Sequence, residues 1–162
     1  MELTGFLNFS DYQLKIVFYV IVSMLLGAAV GFDRELADKP AGLRTHMLVA
    51  GSATLLVALG QIIVREYHVD SQIVRTDPIR IISAIITGVS FLGAGTIIRG
   101  GTDRVKGLTT AASLLFVAAV GICVALSKLV LAVGVTIIAL LTLRGVAYAE
   151  RRVGIGRKGS DD

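Results

Sequence analysis

The chain has 162 residues, a formal net charge of +4 and a mean hydropathy of +0.78, with 54% hydrophobic and 17% charged residues. Soluble domains average about a quarter charged residues; here the charges are fewer and are gathered between long apolar runs, which excludes an ordinary water-facing surface. The basic excess is therefore read as a membrane-orientation signal and not as a nucleic-acid interface, and the single cysteine, Cys123, excludes an intramolecular disulfide or a cysteine metal cluster.

The first apolar run, residues 16–32, carries no charge. It exceeds the ~7–15 residues of a signal-peptide core and lacks a basic region before it apart from Lys15, so it is expected to be a retained helix. The second run covers 45–64, with only His46 at its edge; the third (81–98) and fourth (107–127) are uncharged. The fifth, 129–143, is short against a ~30 Å hydrocarbon core. It reaches spanning length if Lys128 and Arg144 snorkel outward and the helix continues to residue 149; an interfacial helix is the other reading. The expected fold is an all-α membrane protein of about five transmembrane helices. Its single helical domain covers 1–149, with spans near 12–32, 45–64, 79–98, 107–127 and 129–149, and a basic tail follows at 150–162.

Five spans place the two chain ends on opposite sides. Five Lys and Arg then fall on the N-terminal side and eleven on the other. Positive charge marks the cytoplasmic side, so the N-terminus is expected outside and the C-terminus inside. The outer loop contains Thr76-Asp77-Pro78, a helix-start signal in which Asp77 accepts from free backbone N–H groups; Arg80 follows it. An exposed cation-sensing carboxylate is the alternative for Asp77.

Two loops on the cytoplasmic side resemble each other. Asp33-Arg34 is matched by Asp103-Arg104, and Lys39 with Gly42-Leu43-Arg44-Thr45 by Lys106 with Gly107-Leu108-Thr109-Thr110. Leu-Gly-Ala precedes both, at 26–28 and 92–94, so the offset is 65 to 66 residues. A helix pair used twice, spans 1–2 and 3–4, followed by a fifth helix, would explain this; so would chance similarity among Gly, Leu and Thr. In the loops, Asp33, Arg34 and Glu35 are expected to pair with Arg44, or with Arg99 and Arg104 of the sister loop. His46 is expected to be a polar anchor and not a ligand. Taken singly, each of these charges is explained by topology alone.

Small residues form stripes at helical spacing: Ser23, Gly27 and Gly31 in span one; Ala50, Thr54 and Ala58 in span two; Ser83, Thr87, Ser90 and Ala94 in span three, with Gly88, Gly93 and Gly95 close by. In lipid such faces drive helix association, which points to a tight bundle or a dimer seam; a hydroxyl-lined substrate path is the other reading. No Asp, Glu, Lys or Arg lies in the central part of spans one to four, whereas transport pathways usually carry one. Mg²⁺ prefers carboxylate oxygens, and no ligand cluster for it, no other cofactor site and no nucleophile–base pair is found. A non-enzymatic protein is expected.

The segments LLGAAVGFDRELADKPAGLRTHMLVA, DPIRIISAIITGVSFLGAGTIIRGG and VKGLTTAASLLFVAAVG resemble the MgtC/SapB family of bacterial inner-membrane proteins, over about residues 24–125. The resemblance implies five spans with the C-terminus inside. It also implies a link to Mg²⁺ homeostasis, growth at low Mg²⁺ and, in some members, survival of pathogens in macrophages. The implied role is regulation of another inner-membrane complex, such as the F-type ATP synthase or a transporter, through helix contacts. An oligomeric ion transporter or channel is the alternative. Expected partners are the bilayer, another inner-membrane protein and a second copy of the chain. Two departures stand out: the chain ends at Asp162 with a basic tail where virulence-associated members continue into a soluble domain, which favours the SapB-like branch, and some members have Asn where Thr109 stands.

Overall fold

The computed structural model describes residues 2–66, 78–99 and 105–153, with side chains for 12–64, 79–97 and 105–145. The described residues form five helices: α1 (Glu2–Leu36), α2 (Leu43–Glu66), α3 (Pro78–Gly95), α4 (Leu108–Ala125) and α5 (Leu129–Val153). A two-stranded antiparallel ladder, β1 (Ile98–Arg99) with β2 (Val105–Lys106), separates α3 from α4. Three helical stretches, Tyr12–Leu36, Leu43–Val64 and Leu108–Ala125, are long and apolar enough to cross a membrane, and Ile79–Gly95 and Leu129–Gly145 are shorter apolar helices. The all-α membrane fold expected from the hydropathy pattern is the fold observed.

Some boundaries move, for local reasons. α1 runs to Leu36, past the expected end near residue 32, and stops short of Pro40. The N–H of Asp38 reaches Glu35 O and that of Lys39 reaches Arg34 O, while Asp38 takes a left-handed φ of 51°. This is a Schellman end made without glycine. α4 closes the same way: the N–H of Ser127 reaches Val124 O, that of Lys128 reaches Cys123 O, and Ser127 has φ 59°. α3 stops at Gly95, earlier than expected, because the N–H groups of Thr96 and Ile97 turn back three residues to Gly93 and Ala94. α5 continues to Val153, so the expected tail begins as helix.

α2 lies at the centre. On one side it meets the Ser23, Gly27, Gly31 stripe of α1. A Cβ on Gly27 would lie 2.6 Å from His46 O and 2.9 Å from the Ala50 Cβ; one on Gly31 would lie 2.8 Å from the Leu43 Cα. Ser23 is fully buried and donates to Val20 O at 2.8 Å. On its other side α2 meets α4 equally closely: a Cβ on Gly121 would run into Ala50 O. Thr54 Oγ1 donates across this contact to Gly121 O at 2.8 Å and within its own helix to Ala50 O at 3.1 Å. Val30, Val49, Ala53, Leu114, Val117 and Ala118 fill the surrounding core.

The side-chain hydrogen bonds joining α2 to α4, His46 to Ser113 and Thr54 to Gly121, both connect residues 67 apart. The two helices therefore run parallel and in register, the relation that a repeated helix pair would produce. The hairpin contacts agree: Gly27 of α1 sits against His46 and Ala50, and Gly93 of α3, 66 residues later, sits against Ala111. α3 behaves differently along its other expected packing positions. A Cβ on Gly88 or Gly95 would meet nothing within 4 Å, and Ser83, Thr87 and Ser90 are exposed.

Gly27→Ala and Gly121→Ala should each destabilise the purified protein by about 1–3 kcal/mol through overpacking against backbone. Gly88→Ala should be neutral or slightly stabilising, because alanine is the better helix former and has room. Thermal unfolding midpoints in one detergent measure this; equal midpoints for all three variants would contradict the close α1–α2–α4 packing.

Candidate functional site

The charged and polar residues of the first loop converge where α1 ends and α2 begins. Asp33 and Arg34 sit in the last turns of α1, only 8% and 6% exposed. Arg34 Nε and Nη2 both donate to Asp33 Oδ2, at 3.2 and 2.6 Å. The other carboxylate oxygen, Oδ1, accepts from Arg144 Nε of α5 at 2.8 Å. One carboxylate thus bridges two guanidiniums, one buried and one 63% exposed, and pins α5 to α1.

Glu35 has a different task. Its Oε2 accepts the Leu43 N–H at 2.7 Å, satisfying a backbone donor that the first turn of α2 leaves free and placing negative charge at the positive end of that helix. Gly42 makes this possible, since a Cβ there would lie 2.7 Å from the same oxygen.

His46, one turn into α2, is wholly buried. Its Nδ1 is 2.8 Å from Gly42 O and its Nε2 is 2.9 Å from Ser113 Oγ of α4. A carbonyl can only accept, so Nδ1 carries a proton. The Ser113 hydroxyl is also 2.8 Å from Thr110 O. With a neutral imidazole the single hydroxyl proton serves either Nε2 or Thr110 O; with a protonated imidazole Nε2 donates and the hydroxyl is left for Thr110 O.

Asp33, Arg34, Glu35, Gly42, His46 and Thr110 are therefore gathered at one end of the α1–α2–α4 core. Others of the expected set are not drawn in. Arg44 is exposed and has no ion pair among the described residues, so the expected Asp33–Arg44 and Glu35–Arg44 pairs give way to Arg144 and to the Leu43 N–H. The reason is direction: Arg44 faces away from α1, on the α3 side of α2. Thr45 is half-buried, and Lys39, Lys106 and Thr109 are exposed. Gly107 has φ 95°, and a Cβ on it would collide with Thr96 O, so the turn into α4 requires glycine. Arg80 is exposed near the start of α3. Asp77, Asp103 and Arg104 lie outside the described residues, as does the side chain of Arg99.

Arg144 and Ser113 were not in the expected set. Arg144 reads in the sequence as a snorkelling charge, and nothing in spacing links it to a residue 111 positions away. Ser113 had a usable signal, because its separation from His46 is close to the 65–66 offset of the two loops. Among the described residues no group of three or more His, Cys, Asp or Glu is placed to hold a metal ion.

The sequence profile of the MgtC family matches residues 20–152. The chain belongs to the MgtC family. It is 35% identical over 144 residues to the protein MgtC of Salmonella typhimurium, covering 86% of this chain and 57% of that protein. To the protein SapB of Bacillus subtilis it is 31% identical over 137 residues, covering 84% and 58%. To the protein SrpB of Synechococcus elongatus it is 34% identical over 146 residues, covering 85% and 78%. The chain thus spans a little under three fifths of the MgtC and SapB relatives. No solved structure matches it. The MgtC-family match includes all of the Asp33, Glu35, His46, Ser113 and Arg144 cluster.

Asp33→Ala should cost about 3–5 kcal/mol, because it leaves the Arg34 guanidinium buried without its carboxylate. Arg144→Ala should cost less than about 1 kcal/mol, since that side chain is mostly exposed and Asp33 keeps Arg34. Unfolding of the two variants in the same detergent decides; an equal loss for both would mean that the buried pair is not the stabilising half of the cluster.

Proposed function

We propose that this MgtC-family protein is a non-enzymatic, multi-pass protein of the bacterial inner membrane that regulates another membrane complex through lateral helix contacts. The role is tied to Mg²⁺ homeostasis and growth at low Mg²⁺. The observation that carries the reading is the outer face of α3. Ser83, Thr87 and Ser90 are exposed there at helical spacing. The Ser83 and Thr87 hydroxyls bond back to their own helix, to Ile79 O and Ser83 O, at 2.9 Å each. Small side chains with internally satisfied hydroxyls let another helix approach closely in lipid, where apolar bulk gives no drive to associate. The partner is another inner-membrane protein, with the F-type ATP synthase and transporters as candidates from the family resemblance; a second copy of the chain would use the same face to form a dimer.

All five helices span the bilayer in this reading, α5 with Arg144 at the interface. The excess of eleven basic residues over five supports a cytoplasmic location for the Asp33–Arg144 cluster and the C-terminus. The buried hydroxyls serve the helix contacts: Thr54 and Ser113 bond α2 to α4, while Ser23 and Thr136 bond back within α1 and α5.

Affinity purification of tagged protein from membranes should recover a specific membrane partner. Ser90→Leu, inserted at wild-type level, should lose it. Recovery of the same partner by both proteins would move the contact off α3. In parallel, liposomes loaded with a Mg²⁺ indicator should show no flux above empty vesicles. Protein-dependent flux that saturates with Mg²⁺ would replace the regulator by a transporter.

A further inference from the structure

The groove between α2 and α3 lies on the face of α3 opposite Ser83, Thr87 and Ser90 and is not used by the contacts above. It encloses about 870 Å³, in the upper range of small-molecule and cofactor sites. On α2 it runs from Arg44 to Ile63, about 28 Å at 1.5 Å per residue, close to the ~30 Å of a hydrocarbon core. Its walls are apolar side chains such as Leu48 and Leu56 of α2 and Ile81 and Leu92 of α3. Gly88 leaves the α3 wall open.

One end differs in character. Arg44 lines the groove in the first turn of α2, exposed and without an ion pair among the described residues. Of the acidic residues that precede it, Asp33 is committed to Arg34 and Arg144 and Glu35 to the Leu43 N–H, while Asp38, the nearest in sequence, is exposed and makes no ion pair with it. The guanidinium is therefore available to an anion from outside the chain. A membrane-length apolar trough ending on a free guanidinium matches the two halves of one kind of molecule.

We propose that this groove binds an anionic phospholipid, its acyl chains along α2 and α3 and its headgroup phosphate on Arg44. Basic pockets between transmembrane helices hold anionic headgroups in this manner, and Arg recognises phosphate through a planar fork of donors. Lipid phosphates line both faces of the bilayer, so the inference does not depend on which way the chain is inserted. A helix from a second copy would fit the apolar walls but would leave the Arg44 charge without a counter-ion in a partly desolvated position.

The test is native mass spectrometry of delipidated protein titrated with phosphatidylglycerol or with phosphatidylcholine. Wild type should bind one phosphatidylglycerol per chain, about five-fold more tightly than phosphatidylcholine, the factor expected of one basic residue facing an anionic headgroup. Arg44→Ala should remove the preference, and Arg44→Lys should retain most of it. Gly88→Leu, which puts a side chain into the trough, should lower occupancy by both lipids. Equal binding of the two lipids by wild type, or a preference that survives Arg44→Ala, would overturn the proposal. So would a dimer that Gly88→Leu dissociates while lipid binding is unchanged.

Discussion

The rest of the molecule depends on how closely the backbone of α2 approaches α1 on one side and α4 on the other. Gly27, Gly31 and Gly121 have no room for a Cβ in these contacts. In lipid the helices gain little from hiding apolar surface, so this approach, with the Thr54–Gly121 and His46–Ser113 hydrogen bonds, supplies the association. It also fixes where the polar end of the bundle forms. Because α1 and α2 touch at Gly31 and Leu43, the six-residue link between them is drawn tight. Glu35 then reaches the Leu43 N–H, and Asp33 is held at the edge of the core where Arg144 of α5 meets it.

α3 stands apart from this unit. It meets α4 at Gly93 and α2 at Ile81, and leaves two faces uncovered by the chain. One carries the hydroxylated stripe of Ser83, Thr87 and Ser90 between the exposed Ile79, Ile86 and Phe91; the other opens the long trough that ends at Arg44. The two faces suit different neighbours. A helix can approach the small face closely, whereas flexible acyl chains can fill the trough. A lipid held in the trough would steady α3 against α2 and so set the angle at which its outer face is offered to a partner.

Much of the α1–α2–α4 core was legible in the sequence because it rests on spacing. Ser23, Gly27 and Gly31 recur every four residues, as do Ala50, Thr54 and Ala58, and each stripe is buried. The repeated loop motif likewise anticipated the parallel register of α2 and α4. Gly88, Gly95 and Ser90 obey the same spacing yet face no neighbour in the chain, since spacing cannot say whether a small face is matched internally or from outside. The partners of Asp33 and Glu35 were not legible. Loop proximity favoured Arg44, but helix phase turns Arg44 toward α3 and brings Arg144 from the far end of the chain. His46 looked like an interfacial anchor because it stands at the edge of an apolar run; its complete burial depends on Ser113 arriving from α4. The helix ends at Asp38 and Ser127 were hidden for another reason: both use a left-handed residue that is not glycine.

In the proposed role, α3 offers its outer face to another membrane protein. Photo-crosslinking in living cells tests it most directly, with a photoreactive amino acid placed at Ser90 on that face and, as a control, at the buried Val89, which points away from that face. A discrete adduct with a membrane protein is expected from position 90 and none from position 89. Adducts with lipid alone from position 90, in cells where the protein is inserted and expressed at its normal level, would contradict it.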